Sequence, residues 1–153
     1  MATAAVLRAA LLRGIVEAAR AALDARASSI ALVDPRTGDL VFEAVAGGGG
    51  PELLGAHFRA DQGIAGHVVQ SGELLVIDDL ARDPRWAQDI AVEAGYHPEA
   101  LSAAPISVGG TVVGVLSVLD TGEPPAGGTE AVLQALCVHA AVALALSDTL
   151  GDG

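Results

Sequence analysis

The stretch 101–120, LSAAPISVGGTVVGVLSVLD, constrains the fold more than any other part of the chain. Two runs rich in Val, Ile and Leu flank Gly109-Gly110, and a two-residue Gly-Gly link suits the primed turns that join antiparallel strands without splaying them. The stretch therefore reads as a β-hairpin. A period of two puts Val113, Val115 and Leu119 on one face of its second arm, and Val112, Leu116 and Val118 on the other. Neither face alternates with polar residues, as a half-solvated antiparallel strand would. The hairpin belongs in the middle of a sheet covered on both sides, and the rest of the chain must supply the covers.

One cover comes from the two ends. Residues 3–25 lack Pro, are rich in Ala, and place Leu7, Leu11, Ile15, Ala18 and Ala22 at the spacing of an amphipathic helix. Leu12, Val16 and Leu23 widen that stripe beyond one contact surface. Residues 129–147 form a second helix, in which Gln134 and His139 are the only polar side chains between Ala131 and Leu146. A helix apolar nearly all round needs burial on two sides. One side takes the sheet; Val132, Leu136, Val142 and Leu146, with the spare stripe of the first helix, point to a homodimer built by the terminal helices.

The middle of the chain supplies strands and shorter pieces. Segments 28–34 and 40–46 read as strands joined by the turn cluster Pro35–Asp39. Gly47–Gly50 is a connector, since no Lys-Ser/Thr follows to make a phosphate-cradling loop. Residues 63–72 are a short helix with Ile64, Val68 and Val69 on its apolar face and Gly72 as its C-terminal cap. A strand over 74–77 follows. In the polar loop 78–86, Asp83 is placed as N-cap and Pro84 as first residue of a helix running to about residue 93, ended by Gly95-Tyr96-His97-Pro98. Thr121–Gly128 breaks the chain before the last helix.

At 153 residues the chain suits one domain burying roughly 70% of its unfolded surface. Residues 1–26 are its N-terminal helix, 28–120 its sheet and covering layer, and 129–148 its C-terminal helix. A single cysteine, Cys137, forms no intramolecular disulfide and fits a small buried hydrophobe. Arg8, Arg13, Glu17 and Arg20 interrupt the apolar start, so it reads as neither signal peptide nor membrane span, and a cytoplasmic location is expected.

Net charge is −11; all eight basic residues are Arg, and none follows Arg85. Such an acidic surface repels phosphate backbones and anionic lipids, which argues against nucleic-acid and membrane partners. Catalysis finds no motif: GxSxG, HExxH and CxxC are absent from the sequence. His57, His67, His97 and His139 are scattered without metal-ligand spacing. Asp78-Asp79 reads as a solvated corner rather than a catalytic dyad. A non-enzymatic role is expected.

Taken in order, the chain runs helix, hairpin, short helix with Gly63-Ile64-Ala65-Gly66 and Ser71-Gly72, strand, Asp78–Trp86 loop, helix, central hairpin and helix. This order, those motifs, and Pro105, Gly114 and Val115 within the hairpin resemble the GAF domain, a small-molecule-binding sensory module related to PAS domains. The resemblance covers nearly the whole chain. It implies an α+β fold, with a central antiparallel sheet of five or six strands. The N- and C-terminal helices would lie on one face, and short helices and loops over a ligand pocket on the other.

The resemblance also frames the function. It implies a sensory or regulatory domain in signal transduction, working alone or with an effector domain or partner protein, and signalling through a terminal-helix dimer. On this sequence the pocket layer corresponds to 64–71 and 79–97. Trp86, Ile90, Tyr96 and His97 would line or cap the pocket, and Asp79 would orient a polar group. Cyclic-nucleotide-binding members carry an Asn-Lys pair after the last strand, then a Phe and an Asp-Glu pair. This chain has Asp120-Thr121, Ala126 and Glu130 there, which argues against a cyclic nucleotide. A bilin needs a cysteine near the pocket helix, and Cys137 lies in the last helix. Haem is the third case, with His97 placed as axial ligand in some members' manner. A GAF fold whose pocket is filled by its own side chains, serving dimerisation or docking, is the alternative.

Overall fold

A computed structural model describes residues 3–47, 53–86, 98–122 and 128–151. Its elements are α1 (Ala4–Ala22), β1 (Ala27–Val33), β2 (Leu40–Gly47), β3 (His57–Phe58), α2 (Gly63–Ser71), β4 (Leu75–Ile77), a 3-10 turn at Leu80–Arg82, β5 (Leu101–Val108), β6 (Thr111–Leu119) and α3 (Gly128–Gly151). The strands form one six-stranded antiparallel sheet in the order β3-β2-β1-β6-β5-β4. The β5–β6 hairpin thus joins the β1–β2 hairpin along β1 and β6, the two innermost strands.

Gly109 and Gly110 make the hairpin turn with φ of 59° and 83°, a pair of left-handed residues that only glycine adopts without strain. The simple period of two breaks once. Ile106 pairs with Gly114, but Ser107 pairs with Val112, which leaves Val113 as the extra residue of a β-bulge. Val113 therefore turns to the face of Leu116 and Val118 instead of sharing that of Val115. Beside the bulge, a Cβ on Gly114 would meet the Ala31 carbonyl oxygen at 2.7 Å, so β6 passes β1 where only glycine fits.

Both long helices lie on one face. Thr3 caps α1, its Oγ1 accepting from the Val6 N–H at 3.2 Å. The buried stripe of α1 is Leu12, Val16 and Ala19, continued by Leu23, while Leu7, Leu11 and Ile15 are half-buried and Ala18 and Ala22 exposed. Periodicity allows either stripe, because adjacent rows differ only by a roll of about 100°. The row that runs on into buried Leu23 and Ala25 is the one the sheet takes.

Helix α3 buries Leu133, Cys137, Ala140 and Leu144 against the same core. Burial alone pushes the Cys137 thiol up to about 12. Val132 and Leu136 pack partly against this core, whereas Val138 (63% exposed), Val142 (59%) and Leu146 (49%) face outward. By length and composition α3 is apolar enough to cross a membrane; in this fold its buried stripe takes the sheet and α1.

The opposite face is covered by shorter pieces. Helix α2 ends at Gly72, which is left-handed at φ 70° and donates its N–H to the Val68 carbonyl at 2.8 Å. In the expected helix over 84–93, Trp86 N–H bonds the Asp83 carbonyl at 3.1 Å, and residues 87–93 lie outside the described residues. Gly47 is the last residue of β2 rather than part of a connector. It holds a φ of 91° where a Cβ would overlap the Arg26 carbonyl oxygen. Residues 48–50 of that connector are also outside the described residues.

Candidate ligand site

The floor of the site is the sheet face opposite the long helices: Leu101 and Ala103 of β5, and Val115 and Leu119 of β6. Four side chains from the cover lie on this floor. Ile64 and Val68, one helical turn apart, bring α2 across it, and Leu80 and Trp86 come from the turn that follows β4. Close approach positions α2 as well: a Cβ on Gly66 would stand 2.6 Å from the Ala60 carbonyl oxygen. Gln70 closes the same corner, its amide Nε2 donating to that carbonyl at 3.1 Å.

Trp86 is 7% exposed, and its position is set by hydrogen bonds in a segment without regular structure. Leu80 N–H donates to the Glu99 carbonyl at 3.0 Å, tying the turn to the approach to β5. Asp83 grips Arg85 through two parallel bonds, Nε to Oδ1 at 2.9 Å and Nη2 to Oδ2 at 2.6 Å. The Arg85 backbone N–H also donates to Oδ1 at 2.9 Å. This fork holds the Asp83 carboxyl below the ordinary carboxylate range, and raises Arg85 in turn. The arrangement sets a part-buried charged clasp beside Trp86, whose ring packs in the apolar cluster.

The expected site residues fall in different places. Trp86 is in the cluster. Asp79 is exposed, its Oδ2 3.2 Å from Arg82 Nε, at the rim rather than against the apolar floor. Ile90, Tyr96 and His97 lie outside the described residues. Among the described residues no three His, Cys, Asp or Glu side chains gather as metal ligands. His57, His67 and His139 are exposed on β3, α2 and α3 respectively. The described part of the site is thus an apolar cluster with one aromatic ring, bordered by the Asp79–Arg82 and Asp83–Arg85 pairs.

One residue with a defined task was not singled out from the sequence. Asp120, at φ 51°, accepts through Oδ1 from the Glu99 and Ala100 N–H groups at 2.8 and 3.0 Å, and its Oδ2 lies 3.7 Å from Arg26 Nη1. It pins the segment entering β5 to the end of β6. An Asp placed between an apolar strand and Thr-Gly was the available signal.

Comparison with known proteins agrees with this architecture. The sequence profile of the GAF domain family matches residues 8–145. A probable 3',5'-cyclic phosphodiesterase of Caenorhabditis elegans, pde-5, is 32% identical over 111 residues, covering 69% of this chain. The matched region spans only 15% of that relative's length. Among solved structures, the GAF domain of a phosphoenolpyruvate-protein phosphotransferase from Coxiella burnetii superposes with a TM-score of 0.82. It is 22% identical, and the match covers 95% of this chain and 87% of that one. The free methionine-R-sulfoxide reductase of Neisseria meningitidis superposes at 0.74 with 18% identity, over 93% and 80% of the two chains. At these identities the structural matches speak for the fold alone.

Proposed function

Since the chain belongs to the GAF domain family, sensory and regulatory modules found in signalling proteins, we propose that it is a non-catalytic sensor. It holds a small molecule between the sheet and the α2–Trp86 cover, and reports occupancy through its terminal helices. The observation that carries this reading is the placement of Trp86. A large ring is held over an apolar floor by a clasp of charge-assisted hydrogen bonds, at the start of the segment 87–97. Ile90, Tyr96 and His97, outside the described residues, keep the pocket role that the resemblance implies, and Asp79 and Arg82 offer polar groups beside the cover.

The output follows from the shared sheet. Leu101, Ala103, Val115 and Leu119 face the slot, while Ala104, Ile106, Leu116 and Val118 on the same strands carry α1 and α3. A ligand that binds two arrangements of the cover unequally shifts the helices through these strands. The outward row Val138, Val142 and Leu146 supports a dimer, because a helix apolar on this face is unusual unless another surface meets it. A second reading has its own observation. Ile64, Val68, Leu80 and Trp86 already lie on the floor, which favours a packed-shut domain working by dimerisation or docking.

The two readings separate on extraction of small molecules from natively purified protein. The sensor reading expects a compound enriched with the wild type and lost from Trp86→Ala, with both proteins folded. Equal recovery from both would contradict it.

A further inference from the structure

A cavity lies on the helix-bearing face of the sheet, at the corner where β4, β5 and β6 meet the start of α3. Its volume is about 340 Å³, and its walls include Val76, Asp78, Ser102, Val118, Thr121 and Thr129. The register explains its floor. Val76 pairs with Ser102, Ser102 with Val118, and Val118 with Ser28, so one row of side chains crosses the sheet on the helix-bearing face. The long helices do not reach the end of that row, and Val76 stays 46% exposed.

Ser102 is the unexpected member. It is only 6% exposed, on a face otherwise filled by Ala, Val, Leu and Ile, and its hydroxyl makes no hydrogen bond among the described residues. The cavity opens beside it, so an occupant able to bond this hydroxyl supplies a partner that the described residues do not. Asp78 and Asp120 line the cavity, and among the described residues none of its walls is Lys or Arg. Arg26 lies 3.7 Å from Asp120 on a largely exposed side chain. Oδ1 of Asp120 is already committed to two backbone N–H groups, so Asp78, Ser102, Thr121 and Thr129 are the polar side chains of the lining that remain to meet an occupant. Val76 and Val118 supply an apolar wall.

We propose that this corner is a binding site for a small aliphatic amine, its ammonium at Asp78 and the Ser102 hydroxyl and its carbon chain against Val76 and Val118. The ammonium supplies the donors that an acidic, hydroxyl-lined wall lacks, and the chain shields apolar surface left open by α3. The site is independent of the slot under α2, so its failure would leave the sensor reading standing.

Titration of the protein with n-butylammonium, followed by amide NMR shifts, tests it. Saturable shifts are expected at Ser102, Thr121, Gly122 and Thr129, with n-butyrate giving none. Ser102→Val and Asp78→Asn each weaken the affinity about tenfold, the effect of losing one hydrogen bond to a charged group. Ser102→Val removes the hydroxyl and adds one methyl group beside the open cavity, and Asp78 is exposed, so both variants are expected to remain folded for the comparison. Shifts that never saturate, that butyrate reproduces, or that both variants retain at full affinity would overturn the proposal.

Discussion

The two faces of the sheet are covered in different ways. On one, Leu116 and Val118 of β6 lie beneath two long helices, in a core that also takes Leu12, Val16, Ile30 and Leu133. On the other, Val115 of the same strand lies beneath a nine-residue helix, a single 3-10 turn and Trp86. Long helices cover a face with many mutually supporting contacts. Short pieces rely on individual caps and side-chain bonds, here Gly72, Gly66 and the Asp83–Arg85 clasp. A cover of the second kind opens locally at lower free energy, which suits it to admitting a ligand.

Four substitutions probe this contrast, in falling order of effect. Leu116→Ala leaves a hole under both long helices and is expected to cost about 4 kcal/mol in urea unfolding, towards the upper part of the range for buried leucine. A loss near 1 kcal/mol would mean that this face relaxes as easily as the other. Trp86→Ala is expected to cost about 3 kcal/mol, at the low end for a buried aromatic, because the turn that carries it can settle onto the floor. Hydrogen exchange then speeds up in α2 while α1 and α3 keep their protection; equal acceleration everywhere would erase the distinction between the faces.

Ser28→Ala has the opposite sign. Its Oγ is buried on the helix-bearing face with no hydrogen-bond partner among the described residues. Its removal is expected to stabilise the fold by about 1 kcal/mol. A destabilised variant would show that the hydroxyl is satisfied in solution. The smallest effect belongs to Asp83→Asn. Because Arg85 lowers the folded pKa of Asp83, its contribution is present above the ordinary aspartate range and is lost as pH falls through the lowered folded value. The variant should therefore be less stable than wild type at neutral pH and converge with it in acid. A gap that persists in acid would mean the clasp works through shape rather than charge.

Legibility in the sequence follows the same division. The hairpin around Gly109-Gly110 and both terminal helices are readable because period and turn chemistry are local, and α1 and α3 end within a few residues of their expected bounds. The roll of α1 onto Leu12 and Val16 is not readable, since two adjacent rows satisfy the same period and the sheet chooses between them. Nor is the bulge at Val113, which depends on how β6 passes β5. The two-residue strand β3 offers no pattern long enough to detect. In the site, Trp86 was identifiable as a lone large ring after a cap. Leu80 and Asp120 act through contacts with segments about 20 residues away, and nothing next to them in the chain announces those partners.

Native mass spectrometry of the protein, taken directly from cells without refolding, tests the central claim that one face binds while the other assembles. It reads the oligomer and any retained small molecule in one spectrum. A dimer carrying additional non-covalent mass, lost in Trp86→Ala with the dimer intact, is the predicted result. A bare monomer would contradict both halves of the account.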